Sequence, residues 1–344
     1  MDLDATGSGE RARAHAIVRR HGRASTSFQT LERGLRLHFD GDGYVAYCEA
    51  GRAWVAAGGP VAAPERVDAV ARSFVAEARR RGRRPRFFGV DAVLSGADLR
   101  HTRIGEEPWW DPADWQETLG SVRSLREQLR RARAKGVMVR AASADRLDRD
   151  AMRALADRWL ATRRMAPMGF LVQIDPFRYA EERLYLMAER EGELVGLLVA
   201  SPVFARPGWL VEHVFRDPLA PNGTPELLVD ALMRHACETG VRHVSLGHAP
   251  LAGSVNHTLR LARRLGRVLY NFEGLEAFKR KLRPHRVAPL YLAYPVRERG
   301  VMAVLDVLRA FAPGGFLRFG LRTLGHLLRR PARGGRARAR LPRS

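Results

Sequence analysis

His213 stands in the apolar run Trp209 to Phe215, and three residues further on comes Arg216. An imidazole titrates near neutral pH and can take a proton from a hydroxyl or an amine, although a lone histidine on a strand commonly has only a structural place. Arg216, Lys279 and Lys281 are cations of the kind that lower a barrier when a nucleophile attacks an ester carbonyl and charge builds on oxygen. Lys279 and Arg283 are one helical turn apart and can share a face, whereas Lys281 points elsewhere, so Lys279 is preferred. Plain solvent exposure is the alternative for each of these side chains. Tyr270 and Asn271 precede the same helix and suit either contact with an acyl group or capping.

A nucleotide-type donor needs bare backbone N–H groups at a helix start, usually from glycines. The turn Arg216-Asp-Pro-Leu-Ala-Pro-Asn-Gly-Thr-Pro225 has one glycine and three prolines, which lack that donor, so it makes a poor pyrophosphate cradle. Asn222 and Gly223 remain in it as candidate substrate contacts. Arg123, Arg126, Arg130 and Arg133 recur at helical spacing and form a basic stripe, either a solvated face or a contact for a phosphate backbone. His101, His248 and His257 have no ligand spacing, and Cys48 and Cys237 are too far apart in sequence for a metal knuckle, so no metal and no cofactor are expected.

These residues need elements to hold them. Tyr44–Cys48 and Ala53–Ala56 read as a hairpin. Val67, Val70, Phe74 and Ala78 mark one face of a helix stopped by Gly82, and the strand Arg86–Val90 follows. A helix from about Ser121 to Lys135 precedes the strand Val137–Ala141. A new unit starts near Asp145 with a helix to about Arg164 and a loop holding Met165, Pro167, Met168 and Gly169. Its strands are Leu184–Glu189, Glu193–Pro202 and Trp209–Phe215, then come a helix from Thr224 to Thr239 opened by Pro225 and the strand Val241–Leu246. Helix His257–Leu265, the apolar piece Val268–Tyr270, helix Gly274–Leu282 and strand Leu290–Tyr294 complete it. Hairpin, third strand, crossover helix and further strand make the plan of an acetyltransferase-like α/β domain, with the first half a looser version. The predicted organisation is a disordered leader over 1–24, domains over 25–143 and 144–296, and over 297–344 a basic amphipathic extension with a disordered tail.

The chain has 344 residues and a net charge of +22, a field that favours polyanions such as tRNA, nucleotides or anionic lipid. No run reads as a secretory signal or is apolar for long enough to span a bilayer. Gly300–Arg330 reads as two short amphipathic helices broken at Pro313-Gly-Gly315, suited to a membrane surface or to packing on the domain.

Three stretches, Leu246-Gly-His-Ala-Pro-Leu251, Leu269-Tyr-Asn-Phe-Glu-Gly-Leu-Glu-Ala-Phe-Lys279 and Leu290-Tyr-Leu-Ala-Tyr-Pro295, carry a resemblance. With Gly51-Arg-Ala-Trp-Val-Ala-Ala-Gly-Gly-Pro60 and Ile104-Gly-Glu-Glu107, they resemble the catalytic domain of bacterial phosphatidylglycerol lysyltransferases, here as a stand-alone soluble form. The resemblance implies α/β architecture with two tandem acetyltransferase-like domains, and an aminoacyl group moved from aminoacyl-tRNA to a hydroxyl or amine acceptor, phosphatidylglycerol among them. It implies a cytoplasmic place, peripheral on the inner membrane face, with anionic lipid as partner and no stable protein partner. The family's catalytic strand has an acid three residues before an arginine; His213-Val-Phe-Arg216 keeps the arginine and replaces the acid. Glu212 is adjacent, but strand alternation points it to the other face. His213 is thereby the candidate base, Arg216 and Lys279 the charge stabilisers, and Arg123 to Arg133 the tRNA contact. Substrate contacts fall to Asn222, Gly223, Tyr270, Asn271, Lys281 and Arg283. An acyl-CoA N-acyltransferase and a non-catalytic membrane-surface or nucleic-acid-binding protein are the alternatives.

Overall fold

The computed structural model describes residues 3–162, 170, 175–250 and 272–312. Expectations for Met165 to Gly169, His257 to Leu265, Val268 to Asn271, the second amphipathic helix and the tail lie outside them.

Strands β1 (Arg36–Asp40), β2 (Gly43–Ala50) and β3 (Ala53–Ala57) form an antiparallel meander. Helix α2 (Val67–Arg80) then crosses over to β4 (Arg84–Val90), which runs parallel to β3. The helix forms where the apolar period predicts it. Val70, Ala71, Phe74, Val75 and Ala78 are buried, and the Phe74 ring meets those of Tyr47, Trp54 and Phe87. Gly82 adopts φ +66 at the helix end, where the Arg83 N–H donates to the Ala78 carbonyl.

The second half repeats this plan. Strands β7 (Leu184–Arg190), β8 (Glu193–Val203) and β9 (Gly208–Arg216) are antiparallel, α6 (Thr224–Glu238) crosses over, and β10 (His243–Ser245) runs parallel to β9. Between the halves in sequence lie β5 (Leu99–Trp110), α3 (Trp115–Ser121), α4 (Arg123–Ala134), β6 (Met138–Ala142) and α5 (Arg149–Ala161). After β10 come β11 (Ala249–Pro250), α7 (Phe272–Lys281), β12 (Arg286–Pro295) and α8 (Gly300–Phe311). The architecture is α/β, with two tandem acetyltransferase-like units.

The units share one sheet because they exchange their last strands. Its order is β1-β2-β3-β4-β12-β5-β10-β9-β8-β7-β6, with β11 on β5. β5 follows the first unit in sequence yet pairs with β10, while β12 follows the second and pairs with β4. The two exchanged strands pair with each other over their whole length. The sheet is therefore not divided at residue 143, since β6 also joins the second unit through β7.

The leader corrects an expectation. Residues expected to be disordered form α1 (Leu3–His21), whose Ala14, Ile17 and Val18 are buried against Phe28, Leu31 and Tyr44. Polar residues on its outer face hide this apolar stripe from a composition reading. The following short 3-10 helix Ser25–Leu31 is buried throughout and lies over β8 and β9.

Candidate functional site

β9 carries a bulge. His213 faces Val199 and Val211 faces Ala200, so Glu212 is an extra residue with no opposite number on β8. Val211 and Val214 pack into the core on the α6 side. His213 lies on the other side, its ring stacked on Phe215 at 5.0 Å. Glu212 shares that side, because it bonds Arg183, two residues before the Tyr185 that packs with Phe215. The alternation expected for Glu212 thus fails at the bulge, which turns Glu212 and His213 to one face.

Glu212 is not idle there. Its carboxylate accepts from Arg183 Nε at 2.8 Å, and both side chains are fully buried. Arg183 also reaches Glu32 at 3.3 Å and lies over the Phe28 ring. Burial works against the Arg183 charge, and the Glu212 carboxylate more than offsets it, raising the guanidinium pKa.

The neighbouring joint is where the two units part. β9 and β10 pair only through Gly208–Leu210 and His243–Ser245. Beyond Ser245 the chain stays with β5 as β11, while β9 runs on to Arg216 beside β8. Gly247 makes the kink at φ +76, and the Lys279 ammonium donates to the carbonyls of Gly247 at 2.8 Å and His248 at 3.0 Å. Burial pushes the Lys279 amine down to about 7, with Glu107 acting against that fall.

Glu107 is on β5, level with Glu212 across the parting. Its face is also that of His243, which packs against the Trp109 ring at 4.7 Å. Burial tends to raise the Glu107 pKa, but His248, the hydroxyls of Ser245 and Ser25, and Arg206 together hold it below the usual range. Burial brings His243 down to about 4, helped by Arg206, and it lowers His248 as well. Gly89, at φ +77, makes room for the His248 ring: a Cβ there would stand 2.7 Å from it. The parting thus brings a buried cation close to a buried carboxylate and neutral imidazoles, with Ser25–Leu31 packed over β8 and β9 beside them. Such a set can move protons and meet developing negative charge.

The other sequence candidates are spread more widely. Arg216 donates to the Ala220 carbonyl at 2.8 Å and to Asn222 Oδ1 at 3.2 Å, spanning the turn before α6. Gly223 has φ +97, and a Cβ on it would stand 2.2 Å from the Gln128 carbonyl, so α4 lies directly against the start of α6. Lys281 pairs with Glu226 at 2.6 Å. Arg283 is exposed and past the end of α7 at φ 51, so it does not share a helical face with buried Lys279. In the arginine stripe, Arg126 donates to the Leu119 carbonyl, Arg130 pairs with Glu127, Arg133 pairs with buried Asp230, and Arg123 is exposed. Tyr270 and Asn271 lie outside the described residues. Sequence reasoning missed Glu107, Arg206, His243 and His248 as a cluster. The Ile104-Gly-Glu-Glu107 stretch was the available signal, an acid within an otherwise sheet-like run.

Comparison with known proteins bears on this geometry. Residues 15–294 match the family described as phosphatidylglycerol lysyltransferase, C-terminal. The phosphatidylglycerol lysyltransferase of Bacillus subtilis (strain 168) is 24% identical over 272 residues, which are 74% of this chain and 31% of that protein. A lysylphosphatidylglycerol biosynthesis bifunctional protein LysX of Nocardia farcinica is 29% identical over 44% of this chain and 14% of its own length. The chain thus spans a third or less of these curated relatives. The crystal structure of the C-terminal domain of a putative lysylphosphatidylglycerol synthetase from Agrobacterium fabrum covers 90% of this chain and 99% of its own, with TM-score 0.79 and 23% identity. The structure of L-PGS from Bacillus licheniformis covers 91% and 97%, with TM-score 0.75 and 21% identity. Both likenesses are of fold. The chain belongs to the phosphatidylglycerol lysyltransferase C-terminal family.

Proposed function

We propose that this chain moves an aminoacyl group from aminoacyl-tRNA to a hydroxyl of an anionic lipid headgroup, with phosphatidylglycerol as the acceptor. The observation that carries the reading is the bulge of β9, which turns Glu212 and His213 to the face of buried Glu107, beside the parting where the Gly247 and His248 carbonyls hold Lys279. The acceptor oxygen attacks the ester carbonyl carbon, and the bond from that carbon to the ribose oxygen breaks. The proton leaves the acceptor hydroxyl by way of His213 and ends on the departing ribose hydroxyl. Lys279 supplies positive charge against the carbonyl oxygen as it becomes negative. The Glu212 carboxylate, fixed by Arg183, orders the strand that presents His213. Exposed Arg123 and Arg130 contribute to a field that draws in tRNA.

Family membership and the names of the relatives support both lysyl transfer and this acceptor. The lipid side is also supported by α8, whose outer face exposes Val301, Met302, Leu305 and Leu308 beside exposed Arg297, Arg299 and Arg309. An acyl-CoA donor has less support, because α4 lies against the start of α6 where a pyrophosphate would need backbone donors. The test is incubation of the purified chain with radiolabelled lysyl-tRNA and alanyl-tRNA and vesicles containing phosphatidylglycerol. The reading expects labelled aminoacyl-lipid that is lost in His213→Ala and Lys279→Ala. Absence of product from the wild-type chain with every charged tRNA tried sinks it.

A further inference from the structure

The last turn of α7 is held from two sides. Lys279 and Lys281 are two positions apart, about 200° around the helix, so their side chains leave it on opposite sides. Lys279 donates to the Gly247 and His248 carbonyls at the kink, whereas Lys281 Nζ donates to Glu226 Oε1 at 2.6 Å. On the flank between them Phe278 packs on the core beneath α6 and Leu282 is fully buried in it. The Leu282 carbonyl accepts from Trp110 Nε1 at 2.8 Å.

Glu226 makes a firm anchor. It stands in the first turn of α6, where free backbone N–H groups favour a carboxylate, and its side chain is 8% exposed. That turn is itself fixed. The Leu227 N–H donates to the Gly223 carbonyl at 2.8 Å, Thr224 Oγ1 donates to the Pro221 carbonyl at 2.8 Å, and Gly223 lies against Gln128 of α4. A buried carboxylate that loses its cation is left uncompensated, so Glu226 holds Lys281 more firmly than a surface partner would. Lys279 rests instead on two neutral carbonyls, at the end of a flexible four-carbon stem. The backbone of α7 therefore decides where its ammonium lies, and burial there is what brings its pKa to about 7. A helix end that lifted would admit water and let the amine return toward 10.5.

We propose that Lys281 and Glu226 are positioning residues, whose ion pair fastens the end of α7 to the start of α6 and so keeps the Lys279 ammonium on the Gly247 and His248 carbonyls, out of water. Lys281 thereby leaves the set of substrate contacts and acts through Lys279. The inference rests on the function proposed above for what Lys279 does in transfer, but the fastening can be measured without any transfer.

The whole chain is labelled with trace acetic anhydride across a pH series, and peptide mass spectrometry reads the titration midpoint of Lys279 itself. The wild type is expected to give about 7. The double change Glu226→Gln with Lys281→Met removes both charges and leaves neither unpaired, so it is chosen to fold, and it should raise the midpoint by about one unit or more. Lys281→Arg keeps the pair and the wild-type midpoint, and Lys281→Gln, which can still donate to Glu226 but carries no charge, falls between. In the transfer assay the double variant should lose about tenfold in kcat with KM unchanged, and its fall in rate should move to higher pH by the same shift as the label. Melting curves identify the variants that are folded. An unshifted Lys279 midpoint in folded double and Lys281→Gln variants overturns the assignment, and lost transfer with that unshifted midpoint would return Lys281 to the substrate. A shifted midpoint with wild-type transfer keeps the fastening and rejects the part given to Lys279 in the reaction.

Discussion

Lys279 joins two features seldom combined, a buried amine and a place beside carbonyl groups that hold it. Its ordinary value of 10.5 falls to about 7 through burial. Between those values the unfolded chain holds more protons on this group than the folded one, so its contribution to stability rises with pH across that window. Below about 7 the folded protein bears the full cost of a buried ammonium. The urea midpoint of the wild type minus that of Lys279→Met is therefore expected to grow from pH 7 to pH 10, and a difference that shrinks contradicts the assignment. A charge stabiliser works in its protonated form, so the transfer rate should fall as pH rises through about 7. Lys279→Arg, which does not titrate there, should flatten that fall, whereas a rate rising through the same range would mean that the neutral amine is the working form. Lys279 was legible in sequence because it sits in a contiguous motif. Glu107, Arg206 and His243 were not, because each is a lone polar residue in a separate stretch and only the sheet brings them together.

The bulge of β9 governs what its neighbours can do. Hairpins, the crossover helix and the strand holding His213 all follow from period and turn residues, but a single inserted residue leaves no mark in a hydrophobic pattern. Alternation then assigns Glu212 to the wrong face. Glu212→Gln leaves the buried Arg183 with Glu32 alone and is expected to destabilise the fold by about 3 kcal/mol in chemical denaturation. His213→Gln should leave stability nearly unchanged while lowering aminoacyl transfer about a hundredfold. If the two variants behave alike in both measurements, the division between a structural carboxylate and a working imidazole is wrong. The start of α6 has its own requirement. Gly223→Ala would hold a side chain at φ +97 and press it on the Gln128 carbonyl, so a loss of about 2 kcal/mol is expected in the same assay.

At the scale of the whole molecule, the exchange of β5 and β12 places the site's parts at the seam between units. Element order in the sequence shows two similar plans, yet it assigns each last strand to its own unit, because exchange is decided by pairing partners far apart in the chain. The seam also fixes where α8 goes: Asp306 on its inner face accepts from Arg84 and from fully buried Arg86 of β4, which leaves Val301, Met302, Leu305 and Leu308 turned outward. A net charge of +22 gives any anionic surface a general attraction, which salt screens. The apolar face adds a part that salt does not remove. Co-sedimentation with vesicles rich in phosphatidylglycerol should therefore persist in part at high salt and fail with vesicles of purely zwitterionic lipid. The double change Val301→Asp and Leu305→Asp should abolish the salt-resistant part without lowering the melting temperature, since both side chains are on the outer face of α8. Should the double variant retain wild-type sedimentation at high salt, α8 is not the lipid-facing element.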